Sequence, residues 1–205
     1  MGSEMCIRDR PTTVEATFTL IKLPKEAMPV RVADTRVGTY TTTKLQFRPD
    51  LDKSSSLYLA NRYRLIPRDL EAYQRGELVA PIEPIVLYLD PTFPEDWKEP
   101  IRQGVLQWQG ALAQAGFKDA LRVVDYPTDV PDFDPDNLKY SCIRYIPNGD
   151  EEIYAPSWVD PRTGEIIASS LLVSNNIEKL FYKWYFTQSA LVDPSIRNTL
   201  SLIHI

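Results

Sequence analysis

The chain is predicted to be an α+β protein with a helix-backed sheet. Three observations predict this. The first 80 residues are rich in short, Thr- and Val-containing segments that read as strands. From residue 84 the order becomes one apolar strand, one long amphipathic helix, several strands with a hairpin, and a last helix. Strands and helices grouped in this way describe an α+β fold. Apolar residues make up 43% of the 205, enough for a real core.

In the first section, Val14 to Leu23 (VEATFTLIKL) is predicted to be a strand that ends at Pro24. Val30 to Val37 and Thr39 to Phe47 read as two more strands around Asp34-Thr35-Arg36-Val37-Gly38, where Gly38 supplies a positive φ for the turn. Asp50 to Ser56 is polar and turn-like, and Tyr58 to Ile66 is a further strand. Pro67 to Gly76 has Pro at its start and Gly at its end, the asymmetry of a short helix.

Composition shifts at Pro81 to Pro84. Ile85 to Leu89 (IVLYL) is an unbroken apolar run, as in a strand covered on both faces. Thr92-Phe93-Pro94-Glu95 matches a capping box. Pro100 argues against one helix running through it, so a turn is expected near Pro94 to Lys98 and the main helix from about Glu99. Trp97, Ile101, Val105, Trp108, Leu112 and Ala115 form its apolar stripe, with both tryptophans expected in the core, and Gly116 is its stop.

Leu121 to Tyr126 and Tyr140 to Ile146 are the next strands. Tyr154 to Val159 and Glu165 to Val173 flank Asp160-Pro161-Arg162-Thr163-Gly164, a hairpin loop by its Pro and Gly. Asn176 to Leu191 keeps helical spacing, with Asn175 as its cap, Glu178 three residues on, and Pro194 after its end.

The net charge of −5 argues against a nucleic-acid or anionic-membrane surface. No apolar run is long enough to span a membrane, and no secretion signal is visible. Cys6 and Cys142 can pair on paper, but Cys142 lies in an apolar strand pattern and reads as a buried thiol. Asp132, Asp134 and Asp136 alternate as calcium ligands do, yet a calcium loop's glycine and distal glutamate are missing, and a solvated acidic loop is the plainer reading. Asp150, Glu151 and Glu152 read as an exposed turn. Tyr154, Trp158, Trp184 and Tyr185 fit buried strand and helix faces better than a sugar-binding surface. No phosphate loop, serine elbow or Cys/His pair is present.

Several stretches then resemble a known family. They are Tyr88-Leu89-Asp90-Pro91, Gly104-Val105-Leu106-Gln107-Trp108-Gln109, Ala115-Gly116-Phe117, Tyr140-Ser141-Cys142-Ile143-Arg144-Tyr145 and, sharpest, Ala155-Pro156-Ser157-Trp158-Val159-Asp160-Pro161-Arg162-Thr163-Gly164-Glu165-Ile166. Together they resemble bacterial zinc-dependent metalloproteases of metzincin-like, cell-envelope type, over about Met28 to Arg197. Pro29 to Gly38 is similar to the end of that family's β-rich N-terminal domain. The resemblance implies the end of that domain over 11–80 and, over 81–198, the first half of a zincin/metzincin-like catalytic domain, a mixed sheet backed by helices. Ser3 to Arg10 and Leu200 to Ile205 resemble sequencing-adapter read-through, so 1–10 and 199–205 are set aside as an artefactual leader and tail.

The family's metal helix carries a His-Glu-x-x-His-x-x-Gly-x-x-His type of motif, whose glutamate activates a zinc-bound water. None of it is present. The one histidine, His204, stands in the tail without a Glu-x-x-His around it. The resemblance therefore implies a fragment of a secreted or envelope metalloendopeptidase, with zinc in the parent protein and no catalytic or metal-binding residue in this chain. What carries over is substrate binding: an edge strand that pairs with an extended peptide or protein substrate through its main chain. Tyr154, Ala155, Ser157 and Trp158 are the candidates, against the alternative of plain hairpin packing. A different class of function also fits: a non-catalytic α+β binding module of the cell envelope that engages its partner through exposed aromatics.

Overall fold

The computed structural model describes residues 13, 16, 18–47, 54–190 and 192. The leader and tail, Cys6, Pro194, His204 and most of the 50–56 turn lie outside the described residues. The protein is α+β, built around a five-stranded mixed sheet.

In the first section, β1 (Thr41–Gln46) and β2 (Ser55–Ala60) form an antiparallel pair. Residues 18–23 form no strand, nor do 30–37, where Val32 makes only an isolated bridge to Leu59. The turn at Asp34 to Val37 closes through the Asp34 side chain, which accepts from the Arg36 N–H (3.0 Å). Gly38 keeps an ordinary φ, so the positive angle expected of it is not used. The short helix α1 (Leu70–Gln74) is capped by Asp69, which accepts from the Ala72 N–H at 2.9 Å, and it stops at Gly76 with φ of 83°.

The central sheet contains β3 (Ile85–Leu89), β4 (Leu121–Asp125), β5 (Ser141–Ile146), β6 (Ile153–Tyr154) and β9 (Leu171–Ser174), in the order β4-β3-β5-β9-β6. Four strands are parallel, and β6 at one edge runs antiparallel to β9. A separate hairpin pairs β7 (Ser157–Asp160) with β8 (Glu165–Ser169).

The stretch Tyr154 to Val159 is thus not one strand. Tyr154 belongs to the central sheet, while Ser157 and Trp158 belong to the hairpin. Glu165 to Val173 divides likewise between β8 and β9. Pairing here is decided by partners far along the chain, which local patterning does not reveal.

Helix α2 (Glu95–Leu106) runs straight through Pro100, contrary to expectation. Pro100 is exposed, and it leaves the Asp96 carbonyl without its usual N–H donor. The capping box does not form. Thr92 Oγ1 instead donates to Asp90 (2.7 Å), and Pro94 stands at the N-cap. Trp97, Ile101 and Val105 pack on a core of Leu89, Phe93, Ile143, Val173 and Ile177. The chain breaks at Gln107–Trp108 before α3 (Gln109–Gln114), which shifts the phase of the stripe. Trp108 is consequently 68% exposed rather than core, and Ala115 is exposed too, while Leu112 packs on a second cluster with Phe117 and Ala120. Gly116, φ 89°, ends α3 as expected.

The last helix, α4 (Ile177–Trp184), gives way to a π-helical turn at Tyr185–Ser189. Asn176, not Asn175, holds its N-cap position, without a side-chain cap bond. No helix among the described residues is long and apolar enough to cross a membrane.

Candidate functional site

The edge of the central sheet organises the site. Ile153 lies opposite Val173 and Tyr154 opposite Leu172. The Ser174 N–H donates to Glu152 O (3.1 Å) and the Ser170 N–H to Pro156 O (3.0 Å), so the same register continues on both sides of β6. Antiparallel ladders alternate between bonded and non-bonded pairs. Residues 152, 154 and 156 therefore direct their backbone groups toward β9. The N–H and C=O of Ile153 and Ala155 point the other way, along the open edge. No strand among the described residues pairs with that edge.

Side chains alternate across the sheet as well. On the helix face, Ile153 adjoins an apolar groove of about 540 Å³ floored by Leu171 and Val173 and walled by Trp97, Ile101, Val105 and Trp108. Phe181 of α4 closes one side, and Asp96 and Glu178 are the charged residues that line it. On the opposite face, Tyr154 lines a cleft of about 560 Å³ with Ser157, Trp158, Tyr140, Leu138 and Leu172. Arg144 and Asp136, joined as an ion pair, form its charged wall.

The structure thus brings three of the four expected residues, Tyr154, Ser157 and Trp158, around one cleft, though on two different sheets. Ala155 contributes its outward main chain. Tyr154 and Trp158 are 61% and 38% exposed, and Trp184 and Tyr185 are 49% and 38% exposed, so these four aromatics are not the buried set that their spacing suggested. Ile153, Arg144, Asp136 and Leu172 were missed as site residues. Arg144 carried the one legible signal, a cation in an otherwise apolar strand run.

In the acidic loop, Asp134 and Asp136 take partners within the chain. Asp134 accepts from the Asp136 N–H at 2.8 Å, and Asp136 turns to Arg144. No three His, Cys, Asp or Glu side chains converge as metal ligands among the described residues. Cys142 in β5 is fully buried, and burial pushes its thiol up to about 11. Burial likewise raises the Tyr126 hydroxyl beside it.

The site is held in place by the hairpin. Asp160 is fully buried and accepts from Arg162 through its backbone N–H (2.8 Å) and its guanidinium (2.7 Å). The Arg162 guanidinium holds the Asp160 carboxyl below the usual carboxylate range. Gly164 takes φ of 79°, and its carbonyl accepts from the Arg62 N–H at 2.9 Å.

Residues 2–68 match the model of a domain of unknown function, DUF5117. The match covers about a third of the chain and takes in residues 2–10. No curated protein and no solved structure matches the chain.

Proposed function

We propose that this chain carries the substrate-holding part of a zinc-dependent metalloendopeptidase of the bacterial cell envelope or exterior, and that it binds an extended peptide by strand addition on β6. The observation that carries this reading is the outward main chain of Ile153 and Ala155 at an open sheet edge, with a groove on either face. A mixed sheet with such an edge is what the resemblance to metzincin-like enzymes implies. Main-chain hydrogen bonds supply affinity in this mode, and flanking pockets supply selectivity.

The described residues do not fit a zinc site, because no ligand set converges among them. No hydrolytic step is assigned to them. Their part is to hold and orient the peptide, while peptide-bond cleavage belongs to the parent enzyme. The test is binding of a fluorescent, unstructured peptide to the 205-residue chain and to its Ala155→Pro variant. Proline removes an N–H that faces away from β9, a change that edge strands tolerate. Binding that weakens at least about tenfold, or roughly 1.4 kcal/mol, supports the reading. Equal binding refutes it.

A second reading, a non-catalytic binding module, is favoured by the exposed aromatic face of α4, where Phe181, Tyr182 and Trp184 are 51%, 64% and 49% exposed. It predicts a partner that is lost on Trp184→Ala and kept on Ala155→Pro.

A further inference from the structure

We propose that the β6 edge selects extended peptides in which a large apolar residue alternates with lysine or arginine. The inference rests on the strand-addition reading and adds the identity of the substrate side chains.

A strand added along Ile153 and Ala155 must follow the pleat of the sheet. Its residue opposite Ile153 places its side chain on the helix face, and its residue opposite Tyr154 on the other. The two faces differ in chemistry. The helix-face groove is walled by Trp97, Ile101, Val105 and Trp108, a surface that suits a leucine or phenylalanine side chain. The opposite cleft presents two exposed aromatic rings, Tyr154 and Trp158, while its third, Tyr140, already stacks on Phe133 and holds the Lys139 ammonium over its face.

Exposed ring faces attract a cation. Arg144 and Asp136 pair with each other in that cleft, so together they add no net charge. The charge comes from the approach to the edge, which is acidic. Asp150 and Glu152 are exposed just before β6, and by alternation Glu152 shares the face of Tyr154. Lysine and arginine also lay their apolar stems along such rings while the charged end stays wet. One strand therefore meets an apolar demand and a cationic demand at consecutive positions.

The experiment measures binding of three labelled eight-residue peptides to the 205-residue chain by fluorescence anisotropy. One alternates Leu and Lys, one alternates Leu and Glu, and one has the first peptide's composition in blocks. The alternating Leu/Lys peptide is expected to bind about tenfold or more tightly than either other peptide. Trp158→Ala is expected to weaken Leu/Lys binding several-fold and to leave Leu/Glu binding unchanged, and Tyr154→Ala serves where that variant does not fold. Equal binding of the blocked peptide overturns the alternation, and equal binding of Leu/Glu overturns the cation preference. Undiminished binding of a backbone N-methylated Leu/Lys peptide overturns strand addition itself. Failure of every peptide to bind overturns that reading and this inference together.

Discussion

Arg64 holds Glu165 through two hydrogen bonds, 2.7 Å from Nε to one carboxylate oxygen and 2.6 Å from the terminal nitrogen to the other. The pair fastens the first section of the chain to the first residue of β8, and so fixes the hairpin that carries Trp158. Glu165 is 9% exposed at its side chain and Arg64 27%. Removing one partner strands a mostly buried charge, which is costlier than losing the pair. Arg64→Ala is expected to lose about 2–3 kcal/mol in urea unfolding. The Arg64→Met/Glu165→Leu double variant is expected to recover part of that loss. A single-variant loss below about 0.5 kcal/mol, the range of an exposed pair, contradicts this role.

Gly164 lies where the hairpin meets β2. A Cβ at this position would stand 2.7 Å from the Ala60 carbonyl oxygen, and φ is 79°. Backbone strain and a backbone clash act together here. Gly164→Ala is expected to cost about 2 kcal/mol or more, whereas Gly110→Ala, with open space around it, is expected to stabilise α3 slightly. A thermal-melting comparison of the two variants checks the order.

Cys142 gives a pH dependence with a definite sign. Its thiol is pushed from 9.0 to about 11 by burial, so the folded state keeps a proton that the unfolded chain releases. The contribution to stability is complete below pH 9 and is lost as pH rises through about 11. Cys142→Ala is expected to flatten the fall in stability over that window. Native Cys142 is also expected to resist alkylation until the protein unfolds. Rapid labelling under native conditions would contradict its burial.

Trp97 and Trp108 belong to one sequence stripe but to different environments. Trp97 packs against Phe93 and Tyr145, with ring centroids 6.5 and 6.1 Å apart, while Trp108 stands 68% exposed. Trp97→Ala is expected to cost about 3 kcal/mol and Trp108→Ser under about 0.5 kcal/mol. Denaturant melts of the two variants test the contrast.

Much of the fold is legible in sequence where signals are local. β3, β4 and β5 are short apolar runs bounded by turn residues, and Gly76, Gly116 and Gly164 stop or turn the chain at positive φ. Legibility fails where distant pairing or phase decides. Nothing near Tyr154 announces that it pairs with Leu172 while Ser157 pairs with Ser169. Nothing near Trp108 announces the break that turns it outward. The same limit applied to the site: its residues were findable as a stretch, but their division between an open edge and a cleft wall required the strand order.

Amide hydrogen exchange at Ile153 and Ala155 tests the central claim most directly. With the alternating Leu/Lys peptide near saturation, both amides are expected to slow by about tenfold or more, because each gains a main-chain acceptor. The amide of Tyr154, directed toward β9, is expected to change little. Peptide binding that leaves Ile153 and Ala155 exchanging at their free rates would contradict the account.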